Sequence, residues 1–160
     1  MGDTNRADRL RELLERLVED LQVEGTVDVV ETDDAITGTV EGDDLAVFIG
    51  RHGQTIEAVQ HLAQRILLND LTPDEPRPRI VVDAGGYRER RREALMKEAD
   101  QAAIDVEEYG RPVALDAMTS SERKIVHEYL RERGGVETHS EGEEPDRHLV
   151  ISALSGSDGA

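Results

Sequence analysis

From Arg6 onward, apolar residues recur at helical spacing as Leu10, Leu13, Leu14, Leu17, Val18 and Leu21, separated by acids and arginines. This pattern predicts an amphipathic helix over 6–21. Two β-branched runs follow, 26–31 and 35–41, on either side of Thr32, Asp33 and Asp34, and they read as strands joined by a tight polar turn. The apolar stretch 43–49 predicts a helical turn or two, capped by Asp43 or Asp44 and ended by Gly50. After Gly53 the positions Ile56, Val59, Leu62, Ala63, Ile66 and Leu67 give a second amphipathic helix that stops near Asn69. Pro73, Pro76 and Pro78 mark a linker, and 79–83 is a short strand ahead of Gly85 and Gly86. The order α-β-β-α-α-β closes one unit.

The stretch Tyr87–Tyr109 has neither Pro nor Gly and is rich in Arg, Glu, Ala and Leu, so a long helix is expected there, ended by Gly110 and Pro112. Residues 113–115 are strand-like. Thr119 and Glu122 have capping-box spacing ahead of a helix over 123–133 that Gly134 and Gly135 terminate. On that helix Ile125, Val126, Tyr129 and Leu130 are expected to face a core, with Arg123, His127 and Arg131 on the other side. Two further strands, 136–139 and 148–152, flank the polar turn SEGEEPDR, and His139 and His148 are expected to face one another across it. The reading is an α+β chain with one domain over 1–84, a second over 85–153 that includes its leading helix, and a disordered tail over 154–160. No internal repeat is present.

Composition narrows what such a chain can do. Hydrophobic residues make up 37% of it, but with one Phe, three Tyr and no Trp the cores must be aliphatic, and aromatic platforms for stacking bases are scarce. There is no Cys, which excludes disulfides, thiolate metal sites and cysteine nucleophiles. Five histidines, His52, His61, His127, His139 and His148, lack metal-ligand spacing, so no metal and no cofactor is expected. Neither a P-loop nor a nucleophile elbow occurs, and an enzyme is not expected. The N-terminus lacks a signal-peptide core and no stretch is long and apolar enough to span a bilayer, which points to the cytoplasm. A net charge of -17 opposes general polyanion binding. The acidity is uneven, however: residues 1–84 carry 8 basic and 19 acidic groups, whereas 85–112 carry 6 and 7. Local basic patches can act beside acidic ones because screening is substantial beyond about 8 Å at physiological salt.

Two constellations carry candidate chemistry. Gly50, Arg51, His52 and Gly53 form a G-x-x-G tetrapeptide between two helices, where glycines permit a tight turn with its backbone close to a ligand. The amides and positive dipole end of the helix that follows, with Arg51, make a site for a sugar-phosphate backbone, and His52 is a hydrogen-bonding or stacking group. Alone, such a tetrapeptide is more often a plain helix-joining turn. In context, IGRHGQTIEAVQHLAQRIL after an α-β-β arrangement resembles a KH domain, and the element order resembles its type II variant. The resemblance implies that Gly50, Arg51, His52 and Gly53 clamp a short single strand.

Arg123 and His127, four residues apart, with Lys124 alongside, form the second constellation, whose bland reading is a solvated helix surface. The run from YRERRREAL through GRPVALDAMTSSERKIVHEYL to VETHSEGEEPDRHLVIS resembles, element for element, the R-3-H domain of the bacterial Jag family, also called KhpB. That family places this domain directly after a KH domain. The resemblance implies that Arg123 and His127 are the residues for which the domain is named and that the module binds single-stranded nucleic acid. Relative to many members, the additional N-terminal Jag domain is expected to be missing. The resemblance also implies a role as an RNA-binding regulator or RNA chaperone, with single-stranded RNA as partner and single-stranded DNA as the alternative. More remotely it implies another small KH protein as partner and a link to a membrane-protein insertase or the cell-division machinery, without embedding in the membrane. An adaptor that binds chiefly protein is the competing class. Arg88, Arg91, Arg92 and Arg131 are secondary candidates for nucleic-acid contact, with ion pairing to Glu89 and Glu93 as the bland outcome for the arginines of the long helix. The turn acids Glu141, Glu143 and Glu144 are expected to be structural.

Overall fold

Asn5 opens the first helix, its side chain accepting from the Ala7 amide at 3.3 Å. In the computed structural model, which describes residues 5–156, α1 runs over Arg6–Asp20. It is followed by β1 (Gly25–Glu31), β2 (Ala35–Gly42), α2 (Ala46–Ile49), a single 3-10 turn (Arg51–Gly53), α3 (Gln54–Leu68) and β3 (Arg79–Ala84). The expected order is borne out, and the 3-10 turn is an addition to it. Asp44 supplies the expected cap contact at α2, accepting from the Ala46 amide at 3.3 Å.

The strands form one sheet in the order β1-β2-β3, with β1 antiparallel and β3 parallel to β2. Along the central strand the burial alternates, so that Ile36, Gly38 and Val40 point inward together. They meet Leu10 and Leu14 of α1, Phe48 of α2, Ile56, Val59, Ala63 and Leu67 of α3, and Ile80 and Val82 of β3. Burying each large side chain contributes about 1.5–3 kcal/mol, which makes this aliphatic cluster the main support of the unit. Gly38 lets α1 approach closely: a Cβ there would run into Leu14 and lie 3.1 Å from Leu10 Cδ2. Arg6 and Arg9 donate to the Leu67 and Ile66 carbonyls at 3.1 and 2.7 Å, tying α1 to the C-terminal end of α3.

The chain divides into two compact units after Arg88, inside α4 (Tyr87–Tyr109). Beyond α4 come β4 (Val113–Ala114), α5 (Ser120–Arg133), β5 (Val136–Glu141) and β6 (His148–Ala153). The three strands are antiparallel in the order β4-β6-β5. Leu95, Ala99, Ala102, Ala103 and Val106 of α4 form one core with Met118, Val126, Leu130, Val136, Leu149 and Ile151. Tyr129 packs at its edge and donates to the Asp100 carboxylate at 2.9 Å, which raises the phenol pKa above its ordinary value. Ile125, expected in the core, is 39% exposed, because only positions in phase with Val126 and Leu130 face inward. The final hairpin pairs His139 with Val150 and His148 with Glu141, so the two histidines are offset by two pairs and are not directly opposite each other. Of the tail assigned to 154–160, residues 157–160 lie outside the described residues, while Ser155 donates its hydroxyl and amide to Glu137.

Hydrogen bonds from Arg133 hold the Glu107 carboxyl below its ordinary range, and those from Ser155 do the same for Glu137. Depressed carboxyl values in the folded state mean that this stabilisation is present above the ordinary glutamate range and is lost as pH falls through the lowered folded-state values. Glu107→Gln is therefore expected to shrink the difference between urea midpoints measured at pH 6 and pH 3. Gly38→Ala should destabilise the first unit by about 1–3 kcal/mol through overpacking, read as a lower urea midpoint at unchanged slope.

Candidate nucleic-acid interface

The corner between α2 and α3 is built from backbone that side chains disfavour. The Gly50 amide closes α2 by donating to the Ala46 carbonyl at 2.8 Å. Gly50 itself has φ 76° and ψ 173°, a combination open to glycine because it has no Cβ. A Cβ there would lie 2.8 Å from both the Cβ and the amide nitrogen of Thr55. The turn closes through the Gly53 amide and the Gly50 carbonyl at 3.2 Å. Within it His52 is left-handed at φ 55° and ψ 24°, which costs a histidine about 1–2 kcal/mol. Gly53, at φ 74°, is also left-handed and starts α3 without a side-chain cap. The expectation of free amides at this helix start needs amending: the 3-10 turn pairs the Gly53 amide with Gly50 and the Gln54 amide with Arg51. What remains is a narrow ridge of backbone with Arg51 exposed beside it and His52 half-buried.

The second constellation sits at the start of α5. Thr119 and Glu122 form the full capping box, at 3.3 and 3.0 Å, and Arg91 of α4 donates to the same Glu122 carboxylate at 2.9 Å. Arg123 departs from expectation. It is 9% exposed, and its guanidinium donates to the Met118 carbonyl at 2.7 Å and to Glu144 in the hairpin turn at 2.5 Å. This arginine fastens the β5–β6 turn to the helix start instead of presenting a free fork to solvent. Glu144 thus has the structural role expected of the turn acids, with a partner that spacing did not identify.

Lys124 and His127 are exposed, and His127 Nδ1 pairs with the Thr138 hydroxyl. Between α5 and the hairpin lies an open groove of about 340 Å³, walled by Ser120, Arg123, Lys124 and His127 of the helix and Thr138, His139, Ser140 and Leu149 of the strands. The groove therefore brings Arg123, Lys124 and His127 together as expected, Arg123 with its guanidinium bonded to the fold, and adds Ser120, Thr138, His139, Ser140 and Leu149. Thr138 and Ser140 carried a signal, since they follow the buried Val136 at period two. His139 also pairs with Glu141 at 2.8 Å. Such a groove offers several neutral donors and acceptors with the exposed Lys124 ammonium and the Arg123 guanidinium at its wall, a set suited to a phosphodiester.

The secondary candidates separate. Arg88 donates to Glu57, Gln60 and the Val82 carbonyl at 2.8, 2.9 and 2.7 Å, and Arg91 is held by Glu122. Both serve as internal anchors, and with partners other than the sequence neighbours Glu89 and Glu93. Arg92 and Arg131 are exposed. Among the described residues no group of three His, Asp or Glu side chains could hold a metal ion, and no helix is long and apolar enough to cross a membrane.

Comparison with known proteins follows the same division. The KH domain of KhpA/KhpB matches residues 7–72, and the R-3-H domain matches residues 93–153. The chain is 35% identical over 147 residues to RNA-binding protein KhpB of Clostridium symbiosum, covering 91% of this chain and 65% of that protein. It is 34% identical over 141 residues to RNA-binding protein KhpB of Bacillus subtilis, covering 87% and 66%. With the Streptococcus pneumoniae protein of that name the identity is 32% over 138 residues, covering 86% and 41%. The chain thus spans from 41% to 66% of the length of these three relatives.

The contrast between Arg123 and its neighbour is open to a direct check. Arg123→Ala strands the buried Met118 carbonyl and should lower the stability of the second unit by about 1–3 kcal/mol. Lys124→Ala should stay within about 0.5 kcal/mol of wild type, both measured by urea unfolding.

Proposed function

We propose that this chain, which belongs to the KhpB family and carries its KH and R-3-H domains in that order, binds single-stranded RNA without catalysing a reaction on it. The observation that carries this reading is the left-handed corner at Gly50, His52 and Gly53, which strips side chains from a stretch of backbone and leaves Arg51 exposed beside it. A sugar-phosphate chain can approach such a ridge closely, with Arg51 supplying a permanent charge and His52 a hydrogen bond. The groove beside α5 takes a neighbouring stretch through Lys124 and His127, with Ser120, Thr138, His139 and Ser140 as neutral partners. Arg123 contributes by holding the turn in place, and Arg92 and Arg131 add outlying charge.

Two weak contacts on one chain act together, because occupying the first raises the effective concentration of strand at the second. That compensates in part for an acidic protein. The names of the relatives describe RNA binding, and the domains matched are nucleic-acid-binding modules, which supports RNA over a chiefly protein partner. We place the protein in the cytoplasm as a regulator or chaperone of RNA. Association with a second small KH protein, or with insertase or division machinery, belongs to the same proposal.

Fluorescence anisotropy with a random single-stranded oligoribonucleotide at low salt tests the reading. Replacing Arg51 and His52 together by aspartate, with both glycines kept, should weaken binding by at least about tenfold and reduce the salt slope by about 1. Unchanged affinity in that variant removes the loop from the site, and a matched oligodeoxyribonucleotide that competes equally well removes the preference for RNA.

A further inference from the structure

We infer that Tyr87, the first residue of α4, is a positioning residue for the Gly50–Gly53 corner, so that the helix leading into the second unit is also part of the first unit's ligand site. The inference rests on the RNA-binding reading of that corner. Tyr87 and Arg88 lie between the two family matches, which end at residue 72 and resume at residue 93.

The contact is close. Gly53 is buried, and a Cβ on it would lie 2.7 Å from the Tyr87 hydroxyl oxygen and 3.1 and 3.3 Å from ring carbons. The phenol ring therefore occupies the space that any side chain at position 53 would need, and it forms the floor beneath the last residue of the turn. Tyr87 also packs against the first unit's apolar cluster.

The first turn of α4, which carries the ring, is fixed by a set of hydrogen bonds. The Asp83 carboxylate accepts from the Ala84 amide at 2.8 Å and from the Arg88 amide at 3.2 Å, fixing the first turn of α4 to the end of β3. The Arg88 guanidinium then reaches the Val82 carbonyl, Glu57 and Gln60. Glu57 and Gln60 stand in the first two turns of α3, directly after the corner. One guanidinium thus joins the strand before α4 to the helix after the turn, and the adjacent Tyr87 ring lies against Gly53. A left-handed histidine with no side-chain cap nearby needs such a floor, because its backbone conformation is unfavourable by itself.

The experiment uses the full chain with Tyr87→Phe, Tyr87→Leu and Tyr87→Ala, each alone and combined with Arg51→Ala. Three quantities are read: affinity for a single-stranded oligoribonucleotide, amide chemical shifts of residues 50–54, and thermal midpoint. Tyr87→Phe keeps the ring and should bind within about twofold of wild type, while Tyr87→Ala should lose about tenfold with the amide shifts of 50–54 displaced. Arg51→Ala should cost a smaller factor in the Tyr87→Ala background than in wild type, because a misaligned turn no longer presents Arg51 to phosphate. Lys124→Ala should cost the same factor in both. Equal Arg51 costs in the two backgrounds, or unmoved amide shifts in a folded Tyr87→Ala or Tyr87→Leu protein, overturn the inference. If instead the Arg51 and His52 aspartate variant binds as wild type does, the RNA reading of the corner fails, while the shift measurement still decides whether Tyr87 sets its shape.

Discussion

The left-handed corner between α2 and α3 is the constraint on which the first unit's chemistry depends. Three of its four residues have positive φ, and one of these is a histidine. Such backbone persists only where its surroundings determine it more strongly than its own preference opposes it. Here the surroundings are Thr55 against Gly50, the Tyr87 ring against Gly53, and the Arg88 bonds that hold α3 to the end of β3. A ridge fixed in this way loses little conformational freedom when a ligand arrives, and that is the economical way for a site with few charges to bind.

Charge is scarce at the sites because most arginines are occupied within the fold. Arg6 and Arg9 meet Asp70, Arg88 meets Glu57, Arg91 meets Glu122, Arg123 meets Glu144 and Arg133 meets Glu107. Several of these also donate to backbone carbonyls, so they act as geometric fasteners more than as sources of positive potential. Isolated partly exposed pairs contribute about 0–1 kcal/mol each, and their value here is in fixing where elements meet. Arg51 and Lys124 stand apart as exposed cations at the two candidate sites. With a Debye length of about 8 Å at physiological salt, each acts on its immediate neighbourhood while the acidic surface elsewhere is largely screened.

Much of this was legible in the sequence, for physical reasons. Of the helical stripes, Leu10, Leu14, Val18, Ile56, Val59, Ala63 and Leu67 are buried and Leu13, Leu17 and Leu21 half-buried, whereas Leu62 and Ile66 are exposed because they lie off the face centred on the other four of α3. Thr119 and Glu122 encode a cap through local spacing, and the cap is present. The glycines at 50 and 53 marked a turn, but nothing in a histidine announces that it will be left-handed. The arginine partners were equally hidden: Glu57 lies 31 residues from Arg88, Glu122 lies 31 from Arg91, and Glu144 lies 21 from Arg123. Helical arithmetic places Arg123 and His127 on one face, but it cannot foresee that a hairpin turn from later in the chain covers one and leaves the other open.

That difference decides how the Arg-x-x-x-His pair works. A guanidinium can serve a carbonyl and a carboxylate at once because its donors lie in a fixed planar fork, and Arg123 uses it to span Met118 and Glu144. An ammonium has no such fork, so a lysine at this position could not make both bonds in the same geometry. With the turn pinned, β5 lies beside α5 closely enough for His127 to reach Thr138, and the groove wall that includes Ser140 and His139 is set. Both residues line the groove, and the arginine in addition fixes the hairpin that forms its other wall.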